Sequence, residues 1–264
     1  SILRRFTKTV AKAKGKDRLR AMRRLTTMAD GPPRFLSDPP VLQPMGELMG
    51  PEEHERMWDQ ITTAFELYHR SLQADRRALL ERYQLVDLAR KVVGVGSVGT
   101  RCWVALLVGR EDGDPLFIQV KEAERSVLEP HLARSVYTQQ GRRVVEGQRL
   151  MQAASDIFLG WVRLDGLDGR PHDYYFRQLW DWKASADIDT MGPELLAVYA
   201  KLCGYTLARA HARSGDSVAI SAYLGGGNGL GQAMVRFSSA YADQNEKDHA
   251  AFVNRLDREK APNP

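Results

Sequence analysis

Cysteine is scarce in this chain: Cys102 and Cys203 are the only two among 264 residues, far apart and without C-x-x-C spacing. A disulfide framework or a zinc ribbon needs more thiols at closer spacing, so the sequence points to neither. The six histidines (His54, His69, His131, His172, His211, His249) show no H-E-x-x-H or comparable spacing, and no metal site is expected from them. Long hydrophobic runs are missing too. A bilayer-spanning helix needs about 20 consecutive apolar residues, whereas apolar stretches such as Val104–Val108 have the length of a buried strand. Arg4, Arg5 and Lys8 lead into further charge rather than into an apolar segment, unlike a secretory signal. The expectation is a cytoplasmic chain with no membrane partner.

The composition, 43% hydrophobic and 27% charged, suits a globular protein with one large domain or two small ones. Its net charge of +5 is unevenly spread. Between residues 4 and 24, Arg4, Arg5, Lys8, Lys12, Lys14, Lys16, Arg18, Arg20, Arg23 and Arg24 face a single acid, Asp17. Such a cluster can hold phosphate backbones, which makes nucleic acid an alternative partner. Only Phe6 interleaves, so no stacking platform for single strands is apparent, and a solvated helix face is the plainer reading. The chain opens on Ser1, which suggests a processed product or a piece of a longer protein.

Along the chain, residues 3–29 read as a basic helix with Leu19, Met22, Leu25 and Met28 as a sparse apolar stripe, stopped by Gly31-Pro32-Pro33. An extended piece, 34–42, precedes a helix start at Gly50, Pro51, Glu52 and Glu53. From there to Tyr83, Met57, Ile61, Phe65, Tyr68, Leu72, Leu79 and Leu80 predict one long helix or two shorter ones. The character then changes. Strands are expected at 91–95, 100–108 and 116–121, a helix at 144–155, and a further hairpin from 157–164 and 174–179. Beyond 187 come a buried helix at 193–213, a flexible glycine loop at 225–231 and a last helix at 232–256. This divides the chain into a helical basic segment (1–84), a sheet lobe of order β-β-β-α-β-β (85–184) and a helical segment (185–264).

Gly94, Gly96 and Gly99 fit G-x-G-x-x-G, a weak signal alone in a chain with 22 glycines. Context decides. A dinucleotide fingerprint needs a helix directly afterwards, but residues 100–108 are β-branched and aromatic, a strand. Strands on both sides suit a hairpin tip laid over phosphates, as in protein kinases, with Gly94, Gly96, Ser97, Gly99 and Thr100 bringing backbone N–H groups close. The next strand carries Lys121 at its end. Leu116, Ile118 and Val120 share one face of it; Phe117, Gln119 and Lys121 share the other. Glu146, in the following helix, is the expected ion-pair partner of Lys121. Arg177, Asp181 and Lys183, where the second hairpin passes to the helical part, are candidates to line the cleft. His211, Arg213 and Asp216 suit a polar network at a helix end. The fold class is thus α+β: a protein-kinase-like antiparallel sheet lobe with one inserted helix, flanked by helical segments on both sides.

Several longer motifs then support a family. Residues 89–101 (ARKVVGVGSVGTR), 119–123 (QVKEA), 144–156 (VVEGQRLMQAASD), 177–183 (RQLWDWK), 207–216 (LARAHARSGD) and 241–245 (YADQN) resemble the carboxy-terminal part of the bacterial family called domain of unknown function 2252. The resemblance spans nearly the whole chain. It implies a protein-kinase-like fold, ATP and Mg²⁺ as cofactors, and catalytic and metal-binding acids in motifs upstream of this segment. Neither those motifs nor H-x-D-x-x-x-x-N or D-F-G occurs here, so no catalytic residue and no metal ligand is assigned. Arg101 departs from the small apolar residue that protein kinases place over the adenine. The functional expectation is a nucleotide-binding, kinase-like protein, a phosphotransferase only in a longer parent and with an acceptor that the sequence does not reveal. The alternatives are an inactive pseudokinase-like interaction module and a nucleic-acid binder acting through residues 4–24.

Overall fold

The computed structural model describes residues 18–27, 31–92, 94, 99–110, 114–166, 169–179 and 186–260. Its helix α1, Arg18–Leu25, buries Ala21 and Leu25 and half-buries Met22, while Leu19, expected in the apolar stripe, is exposed. Two short strands follow, β1 (Thr26–Thr27) and β2 (Arg34–Phe35), paired antiparallel. A third, β3 (Leu42–Pro44), leads into a single turn, α2 (Met45–Leu48). The segment from Gly50 forms two helices, α3 (Pro51–Ser71) and α4 (Ala74–Leu80). Pro51 starts α3 where its missing N–H costs nothing, and Glu52 and Glu53 complement the positive end of the helix dipole.

The centre is a six-stranded sheet. Strands β4 (Tyr83–Lys91), β5 (Cys102–Gly109) and β6 (Pro115–Glu122) form a meander. Helix α5 (Gln140–Met151) follows, then the hairpin of β7 (Gly160–Asp165) and β8 (Pro171–Gln178). The strand order is β3-β4-β5-β6-β8-β7 and every neighbouring pair is antiparallel. The β-β-β-α-β-β order is therefore present, with two differences from the sequence expectation. The strand before the glycine segment lies at 83–91, ending where 91–95 was expected to begin. Its Asp87, Arg90 and Lys91 break the apolar pattern, and Asp87 is tolerated inside because it accepts bonds from the backbone N–H of Phe35 (2.7 Å) and Leu88 (2.9 Å). Strand β3 is the unexpected member; it sits at the sheet edge, where Pro44 is acceptable.

Each face of the sheet has its own core. Leu88, Ala105, Leu107, Leu116, Ile118, Val120, Val162, Tyr174 and Phe176 pack under α3 and α4 through Ile61, Tyr68, Leu72 and Leu80. Ala89, Val104, Leu106 and Phe117 pack on the opposite side against Ala21 and Leu25 of α1 and against Phe35. The alternation expected along β6 is thus present. A bulge between Leu85 and Asp87 lets Leu85 pair with Leu107 and Asp87 with Leu106, so the leucine serves one core and the acid the hairpin on the other.

The chain divides into two compact units, one running to Leu207 and the other from Ala208. Three helices make up the last part of the chain: α6 (Pro193–Ser214), α7 (Ser217–Leu224) and α8 (Asn228–Lys260). Helix α6 fulfils the expected span but not the expected burial, since Leu202 and Leu207 are 58% and 60% exposed. Apolar periodicity sets a helix; it does not supply the element that covers it. The glycine loop is shorter than expected, confined to Gly225–Gly227, with φ of +53° at Gly225 and +79° at Gly227, conformations suited to glycine. Gly229 and Gly231 instead fall inside α8. The Asp216 carboxylate caps α7, accepting from the N–H groups of Val218 (2.9 Å) and Ala219 (3.0 Å). Among the described residues no helix is long and apolar enough to cross a membrane.

Candidate functional site

The glycine segment joins β4 to β5, so it is a hairpin connection between antiparallel strands and not a strand-to-helix turn. Gly94 and Gly99 have φ of +129° and +82°. A Cβ at either position would meet nothing within 4 Å, so glycine is required by the backbone conformation and not by crowding. Gly96 and Ser97 lie outside the described residues, and Thr100 leads into β5.

Arg101 is drawn to the far side of the sheet. Its backbone N–H and guanidinium bond Glu122 (2.9 and 3.0 Å), and the Glu122 N–H returns to the Arg101 carbonyl at 2.9 Å. Glu122, whose side chain is 4% exposed, also meets His172 Nδ1 at 2.8 Å. Because side chains alternate, Arg101 and Glu122 lie on one face while Cys102 and Lys121 lie on the other. The arginine that departs from the kinase pattern is thereby removed from the face that carries the lysine.

That face presents an ordered set of groups. Lys121 pairs across the sheet with Cys102 on β5 and with Tyr175 on β8, and Tyr175 pairs with Trp161 on β7. Lys91 joins the same row: Arg90 pairs with Trp103, so the next residue of β4 stands beside Cys102. One step along the strands, Gln119 pairs with Arg177, which places Arg177 on the Lys121 face. Gln119 donates to the Cys102 sulfur at 3.8 Å. Burial pushes the Cys102 thiol up from its ordinary pKa, and Lys121, the Gln119 bond and Lys91 act against that rise. Burial likewise raises the Tyr175 hydroxyl, with Arg177 opposing. Lys91 is pushed down, first by burial and then by Arg24 nearby. Among the described residues neither the Lys91 nor the Lys121 side chain makes a hydrogen bond or an ion pair.

Helix α5 stands on the β7–β8 end of this face, with Arg142 and Arg149 lying over the Trp161 ring at 5.5 and 5.7 Å from its centroid. Glu146 is on this helix, but its carboxylate meets Arg149 at 3.4 Å, and Arg149 also donates to the Leu159 carbonyl at 2.8 Å. The structure therefore pairs Glu146 with Arg149 and brings no ion pair between Glu146 and Lys121. Asp181 and Lys183 lie outside the described residues, as do residues 4–17 of the basic segment. Sequence reasoning missed Lys91, Cys102 and Tyr175, and had Gln119 only as a residue sharing the Lys121 face. Aligning β5, β6 and β8 in antiparallel register finds Cys102 and Tyr175 beside Lys121, and Lys91 joins them only once β4 is known to end, not begin, at Lys91.

A separate cavity of about 510 Å³ lies on the opposite face, between α3 and the sheet, lined by Leu88, Trp103, Val120, Tyr174 and Phe176 among others. Its rim arginines, Arg101 and Arg163, are engaged by Glu122 and by Asp173, the latter at 2.6 Å. It contains neither the described glycines of the hairpin nor Lys121. Among the described residues no group of three or more His, Cys, Asp or Glu side chains is placed to hold a metal ion.

The structure thus defines an α+β protein whose antiparallel sheet carries a glycine hairpin and, on the third strand of its meander, a lysine whose side chain has no anionic partner among the described residues. The chain belongs to the family described as "Uncharacterized protein conserved in bacteria (DUF2252)", whose model matches residues 2–255. No curated protein and no solved structure matches it.

Proposed function

We propose that this chain is protein-kinase-like and binds a nucleotide, ATP, on the Lys121 face beneath the Gly94–Thr100 hairpin. The observation that carries the reading is Lys121: a half-buried lysine on the third strand, beside the glycine hairpin, with no acid paired to it among the described residues. A lysine side chain with no counter-charge beside it is open to a charge-assisted bond with an incoming phosphate. The order of parts supports the same reading: glycine hairpin between strands one and two, lysine on strand three, helix before strand four.

The Lys121 face carries cations, an amide, a thiol and a phenol, and no carboxylate in its two rows, so it does not fit a Mg²⁺ ion by itself. Phosphoryl transfer needs acids to hold that metal and a group to place the nucleophile. The reading for this chain is therefore nucleotide binding. Transfer to an acceptor would need acids that the two rows of this face do not supply; an inactive kinase-like interaction module would bind in the same way without turnover.

Calorimetric titration with ATP, with and without Mg²⁺, tests this. The chain should bind saturably, and Lys121→Ala should weaken binding by about 10- to 100-fold, the loss of one charge-assisted contact of about 1.5–3 kcal/mol. A folded chain that ignores ATP, or binds it unchanged after Lys121→Ala, would overturn the proposal.

A further inference from the structure

Lys91 is a second cation on the same row as Lys121, and the sequence expectation gave it no role. Cys102 stands between the two, paired with Lys121 and one register step beyond the Arg90–Trp103 pair. The two lysines are therefore two strands apart on one face, with backbones about 10 Å apart. Both are half-buried. The other charged groups that act on Lys91 are Arg24, which adds to the positive charge, and Asp38, a single acid. A concavity of about 360 Å³ beside Lys91, lined by Arg24, Ser37, Asp38, Val41 and Leu42 among others, leaves room for a ligand group. Two half-buried lysines, with Asp38 the single acid among the groups that act on Lys91, leave an excess of positive charge, which calls for a polyanion and not a single phosphate.

We propose that Lys91 and Lys121 form a two-point clamp for a polyphosphate chain, so that the site selects nucleoside triphosphates over monophosphates through Lys91. This rests on the nucleotide reading of the same face and adds to it the phosphate count. Lys121 holds one phosphate group and Lys91 another, across Cys102. The small, protonated thiol between them adds no anionic charge to repel the ligand, since burial keeps it from ionising.

The test is calorimetric titration of the full chain and of Lys91→Gln, Lys91→Arg and Lys121→Ala with ATP, ADP, AMP and inorganic tripolyphosphate at one salt concentration. The wild-type order should be ATP, then ADP, then AMP, and tripolyphosphate should compete with ATP. Lys91→Gln should weaken ATP about 10-fold while leaving AMP within threefold; Lys91→Arg, which keeps the charge, should stay within threefold for all. Unchanged melting temperatures would show that each variant is folded. Loss of ATP binding in Lys121→Ala with none in Lys91→Gln would overturn the clamp and leave the nucleotide site standing. No ATP binding by the wild type, or no loss in either variant, would overturn both.

Discussion

Replacing Tyr68 with alanine should lower the unfolding free energy by about 3–5 kcal/mol, the cost of emptying a large aromatic site in a packed core. Tyr68 is fully buried and ties α3 to the sheet and to the loop before β7. Its ring stacks on Phe176 with centroids 4.1 Å apart and an interplanar angle of 10°. Phe65 meets it edge-on at 5.9 Å. Its hydroxyl donates to the Phe158 carbonyl at 2.7 Å, across the loop before β7. Tyr68→Phe separates these contributions: the packing survives, the carbonyl loses its donor, and the expected loss is about 1–3 kcal/mol. Urea unfolding measures both, with a lower midpoint and an unchanged slope. Burial, and then the negative charge of Asp156, hold the Tyr68 hydroxyl well above its ordinary pKa. A raised folded-state pKa means that the contribution is full below pH 10 and is lost as pH rises beyond it. Wild type should therefore lose stability in alkali more steeply than Tyr68→Phe.

Gly141→Val should be as severe, for the opposite reason. At this second position of α5 a Cβ would lie 2.1 Å from the Tyr174 carbonyl oxygen and 2.7 Å from its carbon. Those atoms are backbone in the middle of the sheet, where Tyr174 pairs with both Glu122 and Val162. The strand has nowhere to go, so the helix must lift. Asp173 Oδ2 accepts from the Gln140 N–H at 2.6 Å and would lose that bond. A loss of at least about 3 kcal/mol is expected, at the upper end for overpacking. Near-ultraviolet dichroism should change as well, because Trp161 sits under Arg142 and Arg149 of the same helix. Gly147→Ala is the control: nothing lies within 4 Å of its Cβ, and removing a mid-helix glycine should stabilise by about 0.5–1 kcal/mol.

The hairpin and the facing of Lys121 were legible in the sequence because both depend on local rules. A glycine segment followed by a β-branched run cannot open a helix, and a period of two fixes which side chains share a face. Lys91 was not legible. Its place depends on where β4 stops, and Asp87 and Arg90 concealed that strand by putting charge where an apolar alternation was expected. The bonds from Phe35 and Leu88, with the Arg34 guanidinium 3.7 Å away, explain why Asp87 can be inside. The Glu146 pairing was misplaced because helical spacing also offers Arg149, three residues on, and the nearer cation took the carboxylate. Burial of α6 was likewise beyond reach, since a stripe of apolar residues does not name what covers it. Tyr68, by contrast, was found as one more position in a helical stripe, with no hint of its bond to Phe158 or its stack on Phe176.

Photo-labelling with 8-azido-ATP, followed by peptide mapping, asks where a nucleotide sits. Label on peptides from Tyr83–Glu122, blocked by excess ATP and lost in Lys121→Ala, is the expected result. Label confined to α3, beside the cavity on the opposite face, or label indifferent to Lys121→Ala, would contradict the proposed site.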